Sequence, residues 1–69
     1  MMYMHAKLAA DIVQTASKSR HKVYLQKGEL KIDAKSILGV ISLVDTEDIV
    51  AKSEDLEVIE AITLLLLQG

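Results

Sequence analysis

The 69-residue chain has no cysteine, no proline, no tryptophan and no phenylalanine, and its only aromatic side chains are two tyrosines. The absence of cysteine excludes a disulfide framework and a thiolate metal site. With two histidines in the chain, a metal centre would depend on scattered carboxylates. We therefore predict neither a metal nor another cofactor.

Charges of both signs are interspersed, and ten acidic against eight basic residues give a net charge of −2. The only basic cluster in the sequence, Lys18, Arg20 and Lys22, has no neighbouring phenylalanine or tryptophan, which argues against nucleic-acid binding. No apolar run approaches the roughly 18 uncharged residues of a membrane span, and the N-terminus lacks the basic and apolar regions of a secretory signal. We therefore expect no membrane segment and a cytoplasmic location.

The length is that of one small domain, residues 1–69. Folding at this size buries only about 60% of the surface that the unfolded chain exposes. The stability of the isolated domain should therefore be marginal, and a binding partner would add to it.

Apolar spacing predicts the first two helices. Lys7 to Ser17 carries apolar residues at i, i+4, i+5 and i+8, which is the spacing of one buried helix face. Ser36 precedes a nearly all-apolar segment that ends at Leu43, so it is predicted to be the N-cap of a short helix. Gly39 inside this helix costs about 1 kcal/mol relative to alanine unless a close backbone contact requires it.

Alternating apolar residues predict three strands. Val23 to Gln26 and Glu29 to Lys35 flank Gly28, which indicates a hairpin with Gly28 at positive φ in its turn. The alternating positions are Val23 and Leu25 in the first strand and Leu30, Ile32 and Ala34 in the second. Asp48 to Ser53 is predicted to be the third strand, with Ile49 and Ala51 on one side and Val50 on the other.

The final helix is predicted over Leu56 to Gln68, capped by Ser53 or Asp55. The residues that can face the sheet are Val58, Ile59, Ile62, Leu65 and Leu66. Leu64 and Leu67 remain outside this stripe. They are either partly covered by neighbouring loops or part of a surface for self-association or a partner. The predicted order of elements is αββαβα, in the α+β class.

Two segments of the chain resemble blocks of the histidine-containing phosphocarrier (HPr) family of the phosphoenolpyruvate:sugar phosphotransferase system. Met4 to Ala9, Met-His-Ala-Lys-Leu-Ala, is similar to the family's Gly-Ile-His-Ala-Arg-Pro-Ala block. Lys31 to Leu43, KIDAKSILGVISL, is similar to the block that contains the family's regulatory serine. The resemblance covers nearly the whole chain and implies a truncated open-faced β-sandwich, in which helices pack on one face of a small antiparallel sheet.

The first block implies a phosphoryl-transfer site at His5. In the family this histidine precedes helix 1, accepts a phosphoryl group at Nδ1 from enzyme I and passes it to enzyme IIA. Here His5 would be the acceptor, with Lys7 and the helix amides stabilising the anion. Lys7 stands where the family has arginine, and Leu8 where it has proline, so the bidentate clamp and the preset first turn are missing. The resemblance implies a phosphoryl carrier rather than an independent enzyme.

The second block implies regulation at Ser36. In Gram-positive relatives HPr kinase/phosphorylase modifies this serine, and the phosphoprotein is a corepressor of the catabolite control protein. The corresponding partner-binding surface here would comprise Ile37, Leu38 and Ile41. A phosphoserine adds a charge of about −1.5 to −2 at the helix N-terminus, which should change partner choice more than fold.

The family has a complete strand before the histidine, next to the strand that corresponds to Asp48 to Ser53. Only Met1 to Met4 precede His5 here. Loss of that strand would leave an unpaired sheet edge, and we expect a homodimer to form through it. A true start further upstream is the alternative explanation.

Three interpretations of function follow. The first is an HPr-like phosphocarrier that uses His5, with Ser36 as a regulatory site. The second is a regulatory paralogue of the catabolite-repression type, which acts through Ser36 with little or no histidine transfer and is favoured by Lys7 and Leu8. The third is a non-catalytic module that dimerises through its open edge and through Leu64 and Leu67.

Overall fold

The computed structural model describes residues 2–44 and 46–68, with the backbone alone for residues 2–4. Within these residues three helices and three strands follow the predicted order αββαβα. They are α1 (Met2–Ser17), β1 (Val23–Lys27), β2 (Leu30–Asp33), α2 (Ile37–Leu43), β3 (Val50–Ser53) and α3 (Leu56–Gln68). Among the described helices, none is both long enough and apolar enough to cross a membrane.

The strands form one antiparallel sheet in the order β2-β1-β3. A two-residue turn joins β1 to β2, because Lys27 pairs with Leu30. The first residue of that turn, Gly28, has a φ of +59° as the sequence predicted. Glycine adopts this conformation without a steric penalty and is the usual first residue of a type II′ hairpin turn. Within the described residues, β3 is paired along one edge only.

The helices cover one face of the sheet, which confirms the open-faced architecture. Along β1, Val23 and Leu25 are buried, whereas Tyr24 and Gln26 retain solvent contact. Such alternation is typical of an antiparallel sheet with one face on the core and one in water. The buried apolar side chains are Ala9, Ile12, Ala16, Val23, Leu25, Ala34, Val40, Leu43, Val44, Ala51, Val58 and Ile62.

The last helix has the predicted bounds and the predicted buried face. Five residues of α3 are buried or packed against the core: Val58, Ile59, Ile62, Leu65 and Leu66. Leu64 and Leu67 are 53% and 78% exposed, so any cover from neighbouring loops is only partial. Of the two predicted caps, Asp55 caps α3, since its Oδ1 accepts a hydrogen bond from the Val58 amide at 3.3 Å.

The first helix begins earlier than predicted, at Met2 rather than at Lys7. The reason is local. A proline at position 8 would mark the first helical turn, because its ring and missing N–H prevent regular helix upstream. Leu8 has an N–H and a high helix propensity, as do the neighbouring alanines, so the helix continues towards the N-terminus.

Two predictions about the sheet are wrong: the start of the third strand and the burial of Leu30. The third strand begins at Val50 rather than Asp48, because Asp48 has a φ of +64° and that left-handed conformation does not fit a strand. Leu30, predicted on the buried side of the hairpin, is 54% exposed. It lies next to the turn at a corner of the sheet, in an edge strand whose burial is low throughout.

Candidate functional site

Ser36 is the N-cap of α2, as predicted. Its backbone is extended, with φ −104° and ψ 113°, and its Oγ accepts a hydrogen bond from the Gly39 amide at 3.4 Å. Its carbonyl oxygen accepts the first helical hydrogen bond, from the Val40 amide at 2.9 Å. The residue is solvent-exposed. The hydroxyl group therefore occupies the helix start while remaining accessible to a modifying enzyme.

The helix that follows has one buried side and one apolar side that faces water. Val40 and Leu43 point into the core. On the outer side, Ile37 and Ile41 are 41% and 43% exposed and Leu38 is 80% exposed. We call Ile37, Leu38 and Ile41 the α2 surface. Contiguous exposed apolar residues of this kind mark a candidate surface for binding another protein.

A turn before Ser36 fixes where α2 begins. The Asp33 carboxylate accepts a hydrogen bond from the Lys35 amide at 2.9 Å, and the Asp33 carbonyl accepts one from the Ser36 amide at 3.1 Å. The Lys35 ammonium donates to the Ser19 carbonyl oxygen at 3.0 Å. This lysine, although adjacent to Ser36 in sequence, is thus directed towards the loop after α1.

His5 lies inside α1, where the family resemblance had predicted a position before the helix. Its side chain is partly buried and lines a cleft of about 420 Å³ between α1, α3 and the loop before β3. The apolar residues of this His5 cleft are Leu8, Val44, Ile49, Leu66 and Leu67. A residue in this place does not have the free helix amides that a position in front of the helix would offer.

Lys7 is not brought to His5. Residues two apart on a helix lie on opposite sides, and the Lys7 ammonium instead contacts Asp11 Oδ2 at 3.2 Å. The described part of the His5 cleft contains the carboxylates Glu47 and Asp48 and neither lysine nor arginine. Carboxylates repel a phosphoryl dianion, so the electrostatics of this cleft are unfavourable for a phosphorylated histidine.

Ser19 and Asp55 form a polar contact that no sequence pattern predicts. The Ser19 hydroxyl donates to Asp55 Oδ2 at 2.7 Å, and the His21 amide donates to Ser19 Oγ at 3.1 Å. The Ser19 hydroxyl, together with the Val58 amide, holds the pKa of the Asp55 carboxyl below its ordinary value. The two residues are 36 positions apart, so no local spacing signals the pair. This hydrogen bond links the loop after α1 to the start of α3.

Among the described residues, no three histidine, aspartate or glutamate side chains lie close enough together to hold a metal ion.

Comparison with known protein families identifies the chain. A family model described as the PTS HPr component phosphorylation site matches residues 3–66. The chain belongs to the PTS HPr family. This is a family of phosphocarriers of the phosphotransferase system, and the matched segment includes the blocks that contain His5 and Ser36.

Solved structures of other HPr-family proteins share this fold. Crh of Bacillus subtilis, described as a catabolite repression protein with a swapping domain in a dimer, is similar with a TM-score of 0.78 and 28% identity. That comparison covers 91% of this chain and 78% of Crh. The HPr dimer of Thermoanaerobacter tengcongensis is similar with a TM-score of 0.70 and 34% identity, over 90% of this chain and 77% of the other. A comparison with curated proteins gave no match.

Proposed function

We propose that this HPr-family protein is a regulatory phosphoprotein of the catabolite-repression type, in which Ser36 is phosphorylated and the α2 surface binds the partner. The observation that carries the proposal is the exposed Ser36 hydroxyl at the N-cap, immediately before the exposed Ile37 and Leu38. The similarity to Crh, whose description names catabolite repression, supports the same assignment.

The chemistry at Ser36 is compatible with a phosphate group. The first turn of α2 contains no acidic residue, and the amides at a helix start together with the helix dipole favour an anion there. A phosphoserine would add a charge of about −1.5 to −2 beside an apolar surface that otherwise stays the same. The modification would create a combined anionic and apolar epitope for a partner.

The partners in this proposal are those that the family resemblance implies. HPr kinase/phosphorylase would add and remove the phosphate at Ser36, and a catabolite control protein would bind the phosphorylated form. The proposal includes a cytoplasmic location and no nucleic-acid contact by this chain itself.

The test is phosphorylation by purified HPr kinase/phosphorylase and ATP, followed by intact-mass measurement. We expect the wild-type protein to gain one phosphoryl group and Ser36→Ala to gain none. Ser42→Ala is the matched control, because Ser42 is an exposed serine on the same helix whose hydroxyl donates to the Gly39 carbonyl. An unmodified wild-type protein, or a mass gain that persists in Ser36→Ala, would refute the assignment.

A second candidate function is phosphoryl transfer through His5, between enzyme I and enzyme IIA. The observation in its favour is the family match, which is described as a phosphorylation site and spans His5. In this proposal the first turn of α1 unwinds, so that His5 precedes the helix and Lys7 approaches it. Lys7 and free amides would then stabilise the phosphoryl group.

Incubation with enzyme I and phosphoenolpyruvate tests this second candidate. At neutral to basic pH, which preserves phosphohistidine, a carrier gains one phosphoryl group that is absent in His5→Ala. His21→Ala is the matched control, because His21 lies outside the His5 cleft. A folded sample with no mass gain would eliminate histidine transfer and leave the Ser36 proposal unaffected.

A further inference from the structure

The open face of the sheet has a concentration of positive charge that neither candidate function uses. Four of the eight lysine and arginine residues of the chain, Arg20, Lys22, Lys31 and Lys52, line one cleft around Tyr24. Glu54 is the only carboxylate in the described lining. We call this site the basic cleft. Its positive charge contrasts with the net charge of −2 of the whole chain.

Strand pairing determines how these charges are arranged. Lys52 on β3 is directly opposite Tyr24 on β1. The Lys31 ammonium, from β2, lies 4.3 Å from the centroid of the Tyr24 ring. Because neighbouring strands are about 4.8 Å apart, the outer strands that bear Lys31 and Lys52 are separated by about 10 Å. The two lysines therefore come from the strands on either side of the one that bears Tyr24.

The cations of the basic cleft are not neutralised within the described part of the protein. In that part of the protein Lys7 forms a salt bridge with Asp11, and His21 Nδ1 lies 3.6 Å from Glu54 Oε1, the one carboxylate of the cleft. The four cationic residues are all exposed. Like charges held close together repel one another, and a bound anion would relieve that repulsion.

We propose that the basic cleft binds a small soluble molecule with two phosphate groups. The cleft encloses about 530 Å³, within the range of about 300 to 1,000 Å³ that is usual for small-molecule sites. Lysine and arginine side chains are the usual ligands of phosphate groups. Two phosphates match cations that are divided between opposite edges of the sheet.

The same features are less suited to a macromolecular polyanion. Single-stranded nucleic acid requires several aromatic platforms, whereas this face has one tyrosine whose ring is already covered on one side by Lys31. An acidic protein would bind best to a flat surface, whereas the charges here surround a concave one. The site involves neither Ser36 nor His5, so it is independent of the proposed function.

The first test compares two alkyl phosphates by calorimetry and by amide chemical shifts at low ionic strength. The probes are hexane-1,6-diyl bisphosphate and hexyl phosphate. We expect the bisphosphate to bind about tenfold more tightly than the monophosphate, because each phosphate adds charge-assisted hydrogen bonds. The largest shifts should be at Tyr24, Lys31 and Lys52. Equal affinity of the two probes would overturn the proposal.

Charge-matched variants separate a specific site from general attraction. Lys31→Gln with Lys52→Gln should weaken bisphosphate binding about tenfold, whereas Lys18→Gln with Lys27→Gln, the same change in net charge, should stay within about twofold. Lys52→Gln alone preserves the Lys31 contact with Tyr24 and is the second variant if the double one is unstable. Equal weakening by both pairs, or tighter binding of a polyglutamate peptide or oligouridine than of the bisphosphate, would contradict the assignment.

Discussion

Ser36 has two separable roles, one in stability and one in the proposed regulation. Its Oγ accepts the Gly39 amide hydrogen bond at 3.4 Å, which is a long distance for such a bond. We expect Ser36→Ala to lower the free energy of unfolding by about 0.5 to 1 kcal/mol, at the lower end of the usual range for an N-cap. Urea denaturation measures this change.

Ser42→Ala is the comparison for that measurement. The Ser42 hydroxyl donates to a helix carbonyl and caps no helix start. Removing it should therefore change the free energy of unfolding by less than about 0.5 kcal/mol. The cap assignment would be wrong if the two alanine variants had the same stability.

Asp55 makes stability depend on pH. Hydrogen bonds from the Ser19 hydroxyl and the Val58 amide lower the pKa of its carboxyl in the folded protein. A group whose folded pKa is lower than its unfolded pKa stabilises the fold above the unfolded value, about 3.9 for aspartate. That stabilisation is lost as the pH falls from about 4 through the folded pKa.

Asp55→Asn tests this pH dependence, because asparagine is also a good N-cap but does not titrate. The wild-type protein should lose stability more steeply than the variant on acidification below about pH 4. Thermal melts at a series of pH values measure the difference. Parallel curves would show that the Asp55 contacts contribute nothing to acid unfolding.

The short helix α2 is a weak element because of Gly39. A Cβ placed there would lie 3.6 Å from Ile32 Cβ and Cδ1, which is ordinary van der Waals contact. No close backbone approach requires glycine, so Gly39→Ala should raise the free energy of unfolding by about 0.5 to 1 kcal/mol. Gly28→Ala is the control and should destabilise the protein, since the φ of Gly28 is positive. A destabilised Gly39→Ala variant would show that α2 requires this glycine.

The last helix and the cap of α2 were easier to predict than the start of α1 and the start of β3. The bounds of α3 and the cap of α2 follow from apolar spacing and from one serine, because both signals are local. The early start of α1 follows from the absence of proline at Leu8, but the family pattern had suggested a boundary there. The short β3 depends on the left-handed backbone of Asp48, which has no reliable local signal in the sequence.

In the candidate site, features formed by residues close together in sequence were easier to predict than features that depend on the fold. The N-cap role of Ser36 and the exposure of the α2 surface could be predicted, because these residues lie within six positions of one another in the sequence. The separation of Lys7 from His5 depends on helix phase, and the carboxylates of the His5 cleft come from a distant loop. The basic cleft requires the pairing of three strands, so the sequence shows only one part of it, around Arg20 and Lys22.

At the level of the whole molecule, exposed apolar residues favour self-association. Leu64 and Leu67 are large apolar side chains exposed on α3, and contiguous exposed apolar residues often lie in protein contacts. We predict that these two leucines form a self-association surface. Leu64→Lys with Leu67→Lys should preserve the circular-dichroism spectrum and reduce the mass measured by light scattering, because buried lysine charges oppose association.

Leu56→Lys is the control for that experiment, because Leu56 is 76% exposed at the opposite end of the same helix. It should leave the measured mass unchanged. The prediction would be wrong if the double variant and the wild-type protein had the same mass at every concentration. A dimer that forms through the open edge of β3 would not support this prediction, because the predicted contact lies on α3.

In the proposed function, phosphorylation of Ser36 controls partner binding through the α2 surface. The most direct measurement is the affinity of a catabolite control protein for the phosphorylated and unphosphorylated forms of this chain. We predict that phosphorylation increases the affinity by about tenfold or more, since a phosphoserine adds one to three charge-assisted hydrogen bonds. Leu38→Ser should remove most of that gain without affecting phosphorylation. Equal affinity of the two forms would show that phosphorylation of Ser36 does not control partner binding.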